Sequence, residues 1–218
     1  MQNPLLIDGL KFDLRIYVMM SSVYPMKLWM FNEGLARFAT EKYTQNSFKN
    51  PFIHLTNYSI NKKSKKFVKN ENEQEDNVGN KWSLSAFFKF LDSQGVDTQK
   101  LIGDINDAII KAFISVESVV FKYTKAFVPH RTNCFELFGV DVLLDDNLKP
   151  WIMEVNLSPS LSTDAPLDLK IKTKLVADIF NIVGIAPHDR LAKQEFAYIK
   201  TLFLIIFPYF FCAKDSTK

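Results

Sequence analysis

The sequence predicts an α+β fold, with helices packed on a mostly antiparallel sheet, and three patterns carry that expectation. Residues Lys11 to Val18 alternate strictly between polar and apolar. Two extended runs, 135–144 and 149–157, flank the polar turn Asp145-Asp146-Asn147 and read as a β-hairpin. Three further segments place apolar residues at helical spacing, which gives each a stripe to lay on a sheet.

In the first strand Lys11, Asp13, Arg15 and Tyr17 share one face, while Phe12, Leu14, Ile16 and Val18 share the other. Such alternation predicts a strand with one dry and one wet face. A second strand is expected over Met26–Phe31, with Asn32-Glu33-Gly34 turning the chain and Leu35–Ala39 continuing a meander that carries Arg37. After Asn50-Pro51, the segment 52–59 reads as short, extended and rich in hydrogen-bonding side chains, among them His54, Thr56, Asn57, Tyr58 and Ser59. Residues 61–80, with lysines at 62–66 and acids at 71–76, have little to pack and read as a mobile loop. Ser83 is placed to cap a helix whose stripe is Leu84, Phe87, Phe88 and Leu91, ending near Gly95. A longer helix starts at Asp97 or Thr98 and runs through Leu101, Ile105, Ile109, Phe113, Val116 and Val120. After the hairpin, Ile171, Leu175, Ile179 and Ile182 form the stripe of a helix over about 167–183.

Composition narrows the class. A chain of 218 residues with 47% hydrophobic content can bury a sizeable core. The net charge of +3 gives no argument for nucleic acid. The cysteines, Cys134 and Cys212, lie far apart without metal-type spacing, which fits a reducing, cytosolic compartment. Met1-Gln2-Asn3-Pro4 lacks the basic start and apolar run of a signal peptide. The apolar tail Leu202 to Cys212 is interrupted by Pro208 and is short of the ~20 residues a membrane span needs. A buried strand, a hydrophobic anchor and a sequence foreign to the fold all remain open for it.

The hairpin holds the first chemical signal. Glu154 and Asn156 share a face by the strand period. If Leu144 pairs with Lys149, Asp141 sits opposite Ile152 and diagonal to Glu154, with diagonal neighbours roughly 7–8 Å apart. Oxygen ligands at that separation suit a hard cation, Mg²⁺ above all. An edge hairpin with its acids in water is the alternative. Lys11, Asp13 and Arg15 on their own read equally as the wet face of a strand, and His54 as a hydrogen-bonded structural residue.

Three motifs in order carry a resemblance. They are residues 3–17, with Lys11-Phe12-Asp13-Leu14-Arg15 at their centre, His54-Leu55-Thr56-Asn57-Tyr58-Ser59, and residues 148–160, with Glu154-Val155-Asn156-Leu157-Ser158-Pro159-Ser160. Together they resemble the tubulin tyrosine ligase-like family, and within it the tubulin polyglutamylases, over residues 1–187; the tail 188–218 is left unassigned. The resemblance implies the C-terminal part of an ATP-grasp fold. It also implies ATP and Mg²⁺ as cofactors, and transfer of free L-glutamate through an acyl-phosphate to the γ-carboxyl of glutamates in acidic tubulin tails. By the same resemblance Asp141, Glu154 and Asn156 hold Mg²⁺, while Lys11, Asp13, Thr56 and Asn57 contact ATP. Arg37, Tyr58, Ser59, Lys81 and Lys172 hold the incoming glutamate. Arg15, with Glu154, belongs to the reacting centre. Leu157 stands where chain-elongating relatives carry histidine, which implies an initiator adding the first branch glutamate. The implied location is cytoplasmic and cytoskeletal, on microtubules, with cilia or basal bodies as further sites, and the lysines at 62–66 could meet an acidic tail.

The family pattern also includes an N-terminal subdomain with a glycine-rich loop over the phosphates. No such loop occurs among the seven scattered glycines, so the chain is expected to be a C-terminal portion without ligase activity alone. Two other functions fit the same residues: a non-catalytic module binding tubulin tails, and a family ligase adding tyrosine or glycine.

Overall fold

The computed structural model describes residues 3–45, 49–70, 76–128, 134–184 and 210–212. It has the expected α+β architecture: an antiparallel sheet in the order β4-β3-β2-β5-β6, with helices on both faces. The strands are β1 (Leu6–Ile7), β2 (Leu10–Val23), β3 (Met26–Phe38), β4 (Lys81–Ser83), β5 (Glu136–Leu144), β6 (Pro150–Leu157) and β7 (Phe210–Cys212). The helices are α1 (Pro51–His54), α2 (Tyr58–Asn61), α3 (Leu84–Ser93), α4 (Thr98–Ile114), α5 (Glu117–Phe127) and α6 (Pro166–Val183).

One sheet face is buried under α3, α4 and α5. Phe12, Leu14, Ile16 and Val18 of β2 meet Phe87, Leu91, Leu101, Ile105, Ile109 and Phe113 there, and Phe12 packs 5.1 Å from Phe87, ring to ring. The other face is covered over part of its length by α6, whose Leu167, Ile171, Leu175 and Ile179 pack on Tyr17, Met19, Phe31 and Leu35. This corrects the expectation of one wet face on β2. Tyr17 is as buried as the core, and only the Lys11–Arg15 stretch of its face is left for polar work.

Local chemistry sets the helix ends. The Ser83 hydroxyl accepts from the Ala86 N–H, and the Asp97 carboxylate from the Lys100 N–H, so each start has a side-chain cap. Gly184, at φ 77°, ends α6 in the left-handed conformation that glycine adopts at least cost.

Four expectations are corrected. Asn32-Glu33-Gly34 is no turn: β3 runs straight through it, and between the Ile16–Gly34 and Val18–Met30 pairs the strand carries two more residues than β2. Residues 52–59 are not extended, because Asn50 caps α1 from its side chain and only Leu55-Thr56-Asn57 bridges α1 to α2. The long helix is two, broken at Ser115 and Val116. In the hairpin Leu144 pairs with Pro150, so Asp141 lies directly opposite Glu154 and Met153 is bulged.

Residues 61–70 and 76–80 of the expected mobile loop are described, and Asn80 ties them down through bonds to Val68 and Ala39. Of the apolar tail, Phe210–Cys212 forms β7 against β3, and the rest lies outside the described residues. Among the described residues no helix is long and apolar enough to cross a membrane.

Candidate active site on the open sheet face

Beyond the edge of α6, five neighbouring strands each present a charged residue to the same face. Cross-strand pairing sets Lys81 of β4 beside Arg37 of β3, and Arg37 beside Asp13 of β2. One step along, Arg15 of β2 pairs with Asp141 of β5, and Asp141 with Glu154 of β6. The two central pairs, Arg37 with Asp13 and Arg15 with Asp141, oppose unlike charges, while the like-charged outer neighbours are relieved separately, Lys81 by Asp168 and Glu154 by its exposure.

At its centre lies a four-residue chain of ion pairs. Arg37 grips Asp13 with Nε and Nη2, both at 2.7 Å, and Nη2 also reaches Asp141 at 2.8 Å. Arg15 holds Asp141 from the other side through Nε and through Nη2 at 2.9 Å. The Thr56 hydroxyl donates to Asp13 at 2.6 Å. Burial would push the Asp141 carboxyl up, but the bond from Arg15 and the charges of Arg37 and Arg15 outweigh it and hold Asp141 below the usual carboxylate range. Burial likewise works against the charged form of Arg37, and its bonds to Asp13 together with both carboxylate charges reverse that and raise it. Tyr17, at the inner end of the face, is pushed up to about 12, first by burial, and stays a neutral phenol.

Beside this chain a cavity of about 240 Å³ is lined by Lys11, Asp13, Thr56, Asn57, Asp141 and Glu154, with Leu143 and Met153 as apolar wall. Six residues named from the sequence thus meet in one place. Lys11 donates to the His54 carbonyl at 3.0 Å, and burial lowers its ammonium, with Asp13 opposing. The His54 ring packs edge-on against Tyr43, 5.5 Å away, in keeping with the structural alternative.

Glu154 and Asn156 sit on the outer strand. The Asn156 amide donates to Glu154 at 2.9 Å and is 3.4 Å from the Gly139 carbonyl. Among the described residues no three His, Cys, Asp or Glu side chains stand together as a metal centre. Two carboxylates and an amide oxygen nonetheless fit Mg²⁺, which keeps several waters and takes few protein ligands beside substrate phosphates. Asp141 remains ionised against its burial, as a ligand must.

A second group lies next to the first. Lys81 and Lys172 both bind Asp168, at 2.7 and 3.2 Å, and Lys172 also donates to the Ser162 carbonyl. The Lys81 ammonium lies 4.8 Å above the Tyr58 ring. Burial lowers the Lys172 ammonium, against the opposing charge of Asp168. Ser59 is exposed on α2, and no described hydrogen bond joins its side chain to either group.

Asp168 escaped sequence reasoning. It is fully buried at the start of α6, yet the sequence marks it only as an acid in a helix's first turn. Gly139 was missed too: a Cβ there would stand 2.7 Å from Pro159 Cβ and 3.2 Å from Arg15 Cδ, so the absence of a side chain is what lets both approach.

Known proteins resemble the chain in sequence. The Tubulin-tyrosine ligase family matches residues 1–192. The tubulin polyglutamylase TTLL5 of Mus musculus is 52% identical over 189 residues, covering 86% of this chain and 14% of that protein. The tubulin monoglutamylase TTLL4 of the same species is 43% identical over 186 residues, covering 84% of the chain and 16% of the relative. The tubulin polyglutamylase ttll6 of Danio rerio is 44% identical over 201 residues, covering 89% and 25%. The chain therefore spans between 14% and 25% of the length of these relatives.

Proposed function

Because the chain belongs to the tubulin-tyrosine ligase family, we propose that it serves an ATP-dependent ligase that joins glutamate to the γ-carboxyl of glutamates in tubulin tails. The observation that carries this reading is the convergence of Lys11, Arg15, Arg37 and Lys81 on one sheet face with Lys172 of α6 beside them; all but Lys11 are ion-paired with an acid, and Lys11 lines the cavity with Asp13. Anionic reactants are what such a face receives: a nucleotide phosphate, an amino acid with two carboxylates and an acidic peptide. The names of the relatives, polyglutamylases and a monoglutamylase, support the same amino acid.

Activation of a carboxylate by ATP as an acyl-phosphate puts charge on phosphate oxygens, and fixed cations are the means of stabilising it. Asp141, Glu154 and Asn156 would hold Mg²⁺, which when bound supplies further neutralisation of that charge. At about 240 Å³ the cavity falls below the roughly 300–1,000 Å³ of most ligand pockets, so it suits the phosphate end of a nucleotide rather than all of it. Lys11, Thr56 and Asn57 line that end, and Asp13 fixes Arg37 and Thr56 in place. Arg15, held by both oxygens of Asp141 and more exposed than its partner, would meet the reacting carboxylates. Arg37 keeps Nη1 for the glutamate, because Nε and Nη2 are engaged by Asp13 and Asp141.

Leu157 is two-thirds exposed just past Asn156, and an aliphatic side chain there gives an added α-carboxylate no hydrogen bond. On this reading the enzyme starts branches rather than extending them, and it works on microtubules in the cytoplasm, cilia and basal bodies included. The test is incorporation of labelled glutamate, glycine and tyrosine into microtubules by the full-length protein, followed by mass spectrometry of the tails. Single glutamates on unmodified tails are expected. Incorporation of glycine or tyrosine instead, or binding without incorporation, overturns the reading.

A further inference from the structure

We propose that Asp168 is the positioning residue of the amino-acid site: it spaces Lys81 and Lys172 so that their remaining N–H groups receive one carboxylate of the incoming dicarboxylic amino acid. The inference rests on the function proposed above and deepens it.

The first support is geometric. Asp168 has no exposed surface, and each oxygen meets one lysine, Oδ2 with Lys81 at 2.7 Å and Oδ1 with Lys172 at 3.2 Å. These lysines come from elements far apart in sequence, one from β4 and one from α6, and a single carboxylate fixes their separation. An ammonium has three N–H groups. Lys172 uses one on the Ser162 carbonyl and stands 3.2 Å from Asp168 Oδ1 as an ion pair without a hydrogen bond, while Lys81 uses one on Asp168 Oδ2 and lies over the Tyr58 ring. Each keeps at least one donor, and two donors at a fixed spacing match the two oxygens of a carboxylate.

The second support is charge. Two ammonium groups and one carboxylate leave the buried cluster with one net positive charge, which one substrate carboxylate neutralises. Arg15, Arg37, Asp13 and Asp141 sum to zero and have no such surplus. With the side-chain carboxylate docked between these lysines and the α-carboxylate held elsewhere, a neutral side chain, such as that of glycine, glutamine or tyrosine, would leave the surplus buried. The charged groups that face Lys172 are Asp168, Lys81 and the exposed Asp164, and Tyr17 of β2 faces Asp168. Of these, Asp168 is the strongest influence keeping Lys172 ionised against its burial.

The experiment uses Asp168→Asn and Asp168→Glu in the full-length protein, with KM for glutamate and for ATP, kcat, thermal unfolding and the pH profile of kcat/KM for glutamate. For Asp168→Asn the KM for glutamate should rise about tenfold, the scale of one misplaced charged hydrogen bond, with kcat and KM for ATP within about twofold. Its profile should lose activity at lower pH than the wild type does, because a lysine deprived of its counter-charge gives up its proton sooner. Asp168→Glu keeps the charge and displaces it by one methylene, so its profile should match the wild type while its glutamate KM rises about threefold. A purely structural role would lower the unfolding temperature and leave both the profile and the KM ratio where they were, which overturns the proposal. Equal losses for glutamate and ATP overturn it too. Should Asp168→Asn not fold, Asp168→Glu decides alone, and an unchanged glutamate KM refutes the proposal. Wild-type protein that does not use glutamate at all refutes the functional reading and this inference with it.

Discussion

Replacing Arg37 by alanine should destabilise the folded protein by about 3–5 kcal/mol, the usual penalty for removing one partner from a buried ion pair. The side chain is 10% exposed and makes three charged contacts, at 2.7, 2.7 and 2.8 Å. At about 1.5–3 kcal/mol each, a simple sum would reach well above that range, but the contacts share oxygens and do not add. Asp141 keeps Arg15 and Asp13 keeps Thr56, so neither carboxylate is left entirely bare. Arg37→Lys retains the charge and loses the fork, and should sit between the wild type and alanine. For a chain of this size about 3–5 kcal/mol corresponds to a melting temperature lower by roughly 6–20 °C. Urea unfolding at fixed pH and ionic strength measures it. A loss under about 1 kcal/mol for Arg37→Ala, or a lysine variant equal to the wild type, would refute the claim that this network is buried and mutually supporting. In the intact enzyme the same substitution should raise KM for glutamate and leave that for ATP in place; the reverse would assign Arg37 to the phosphates.

Glu154→Gln should abolish glutamate transfer yet leave the unfolding temperature near that of the wild type, since Glu154 is exposed; near-normal transfer would remove it from the metal site. Asp141 is held below its unfolded-state value, so the stability it contributes is complete above the unfolded carboxyl range near pH 4 and is lost as pH falls through the folded value. The stability gap between wild type and Asp141→Asn should therefore narrow as the pH is lowered below about 4, as followed by urea unfolding. Gly103 lies in α4 with nothing within 4 Å of an added Cβ, whereas Gly139 faces Pro159 at 2.7 Å. Gly103→Ala should stabilise by about 0.5–1 kcal/mol and Gly139→Ala destabilise by about 1–3 kcal/mol, both read from denaturant midpoints.

Much of the architecture was legible because it rests on period. The stripes of α3, α4 and α6, the Ser83 cap and the β2 alternation each follow from one local rule. What escaped was non-local. Whether Tyr17 is wet depends on α6, contributed by residues some 150 positions later, and no pattern within β2 contains that fact. The pairing of Asp168 with Lys81 and Lys172 joins residues as far as 87 apart in sequence, so its detection required the fold. The strand Lys81–Ser83 is too short for alternation to show, and it was hidden behind the charged loop before it. Of the residues around the cavity, Asp141 and Glu154 were marked as candidate cation ligands by the strand period, while Lys11, Asp13, Thr56 and Asn57 were given their roles through resemblance to a family.

The irregular points in β3 and β6 also govern where this chain tolerates a change of length. In a regular strand the loss of one residue rotates everything on one side of it to the opposite face. A deletion between Lys11 and Arg15 would thus drive a charged side chain against Phe87 or bring a core residue out beside Asp141. At Met153, and at the two surplus residues before Gly34, the chain already holds more residues than its neighbour, so a shorter version keeps the pairs on either side. Removing Met153 would still leave Ile152 opposite Val142 and Glu154 opposite Asp141. Ser21, surplus in β2 between the Met20–Leu28 and Ser22–Lys27 pairs, is a third such point, and gaps and insertions among descendants of this sequence should collect at these three, which act as expansion joints between stretches whose lengths are fixed by the charges they carry.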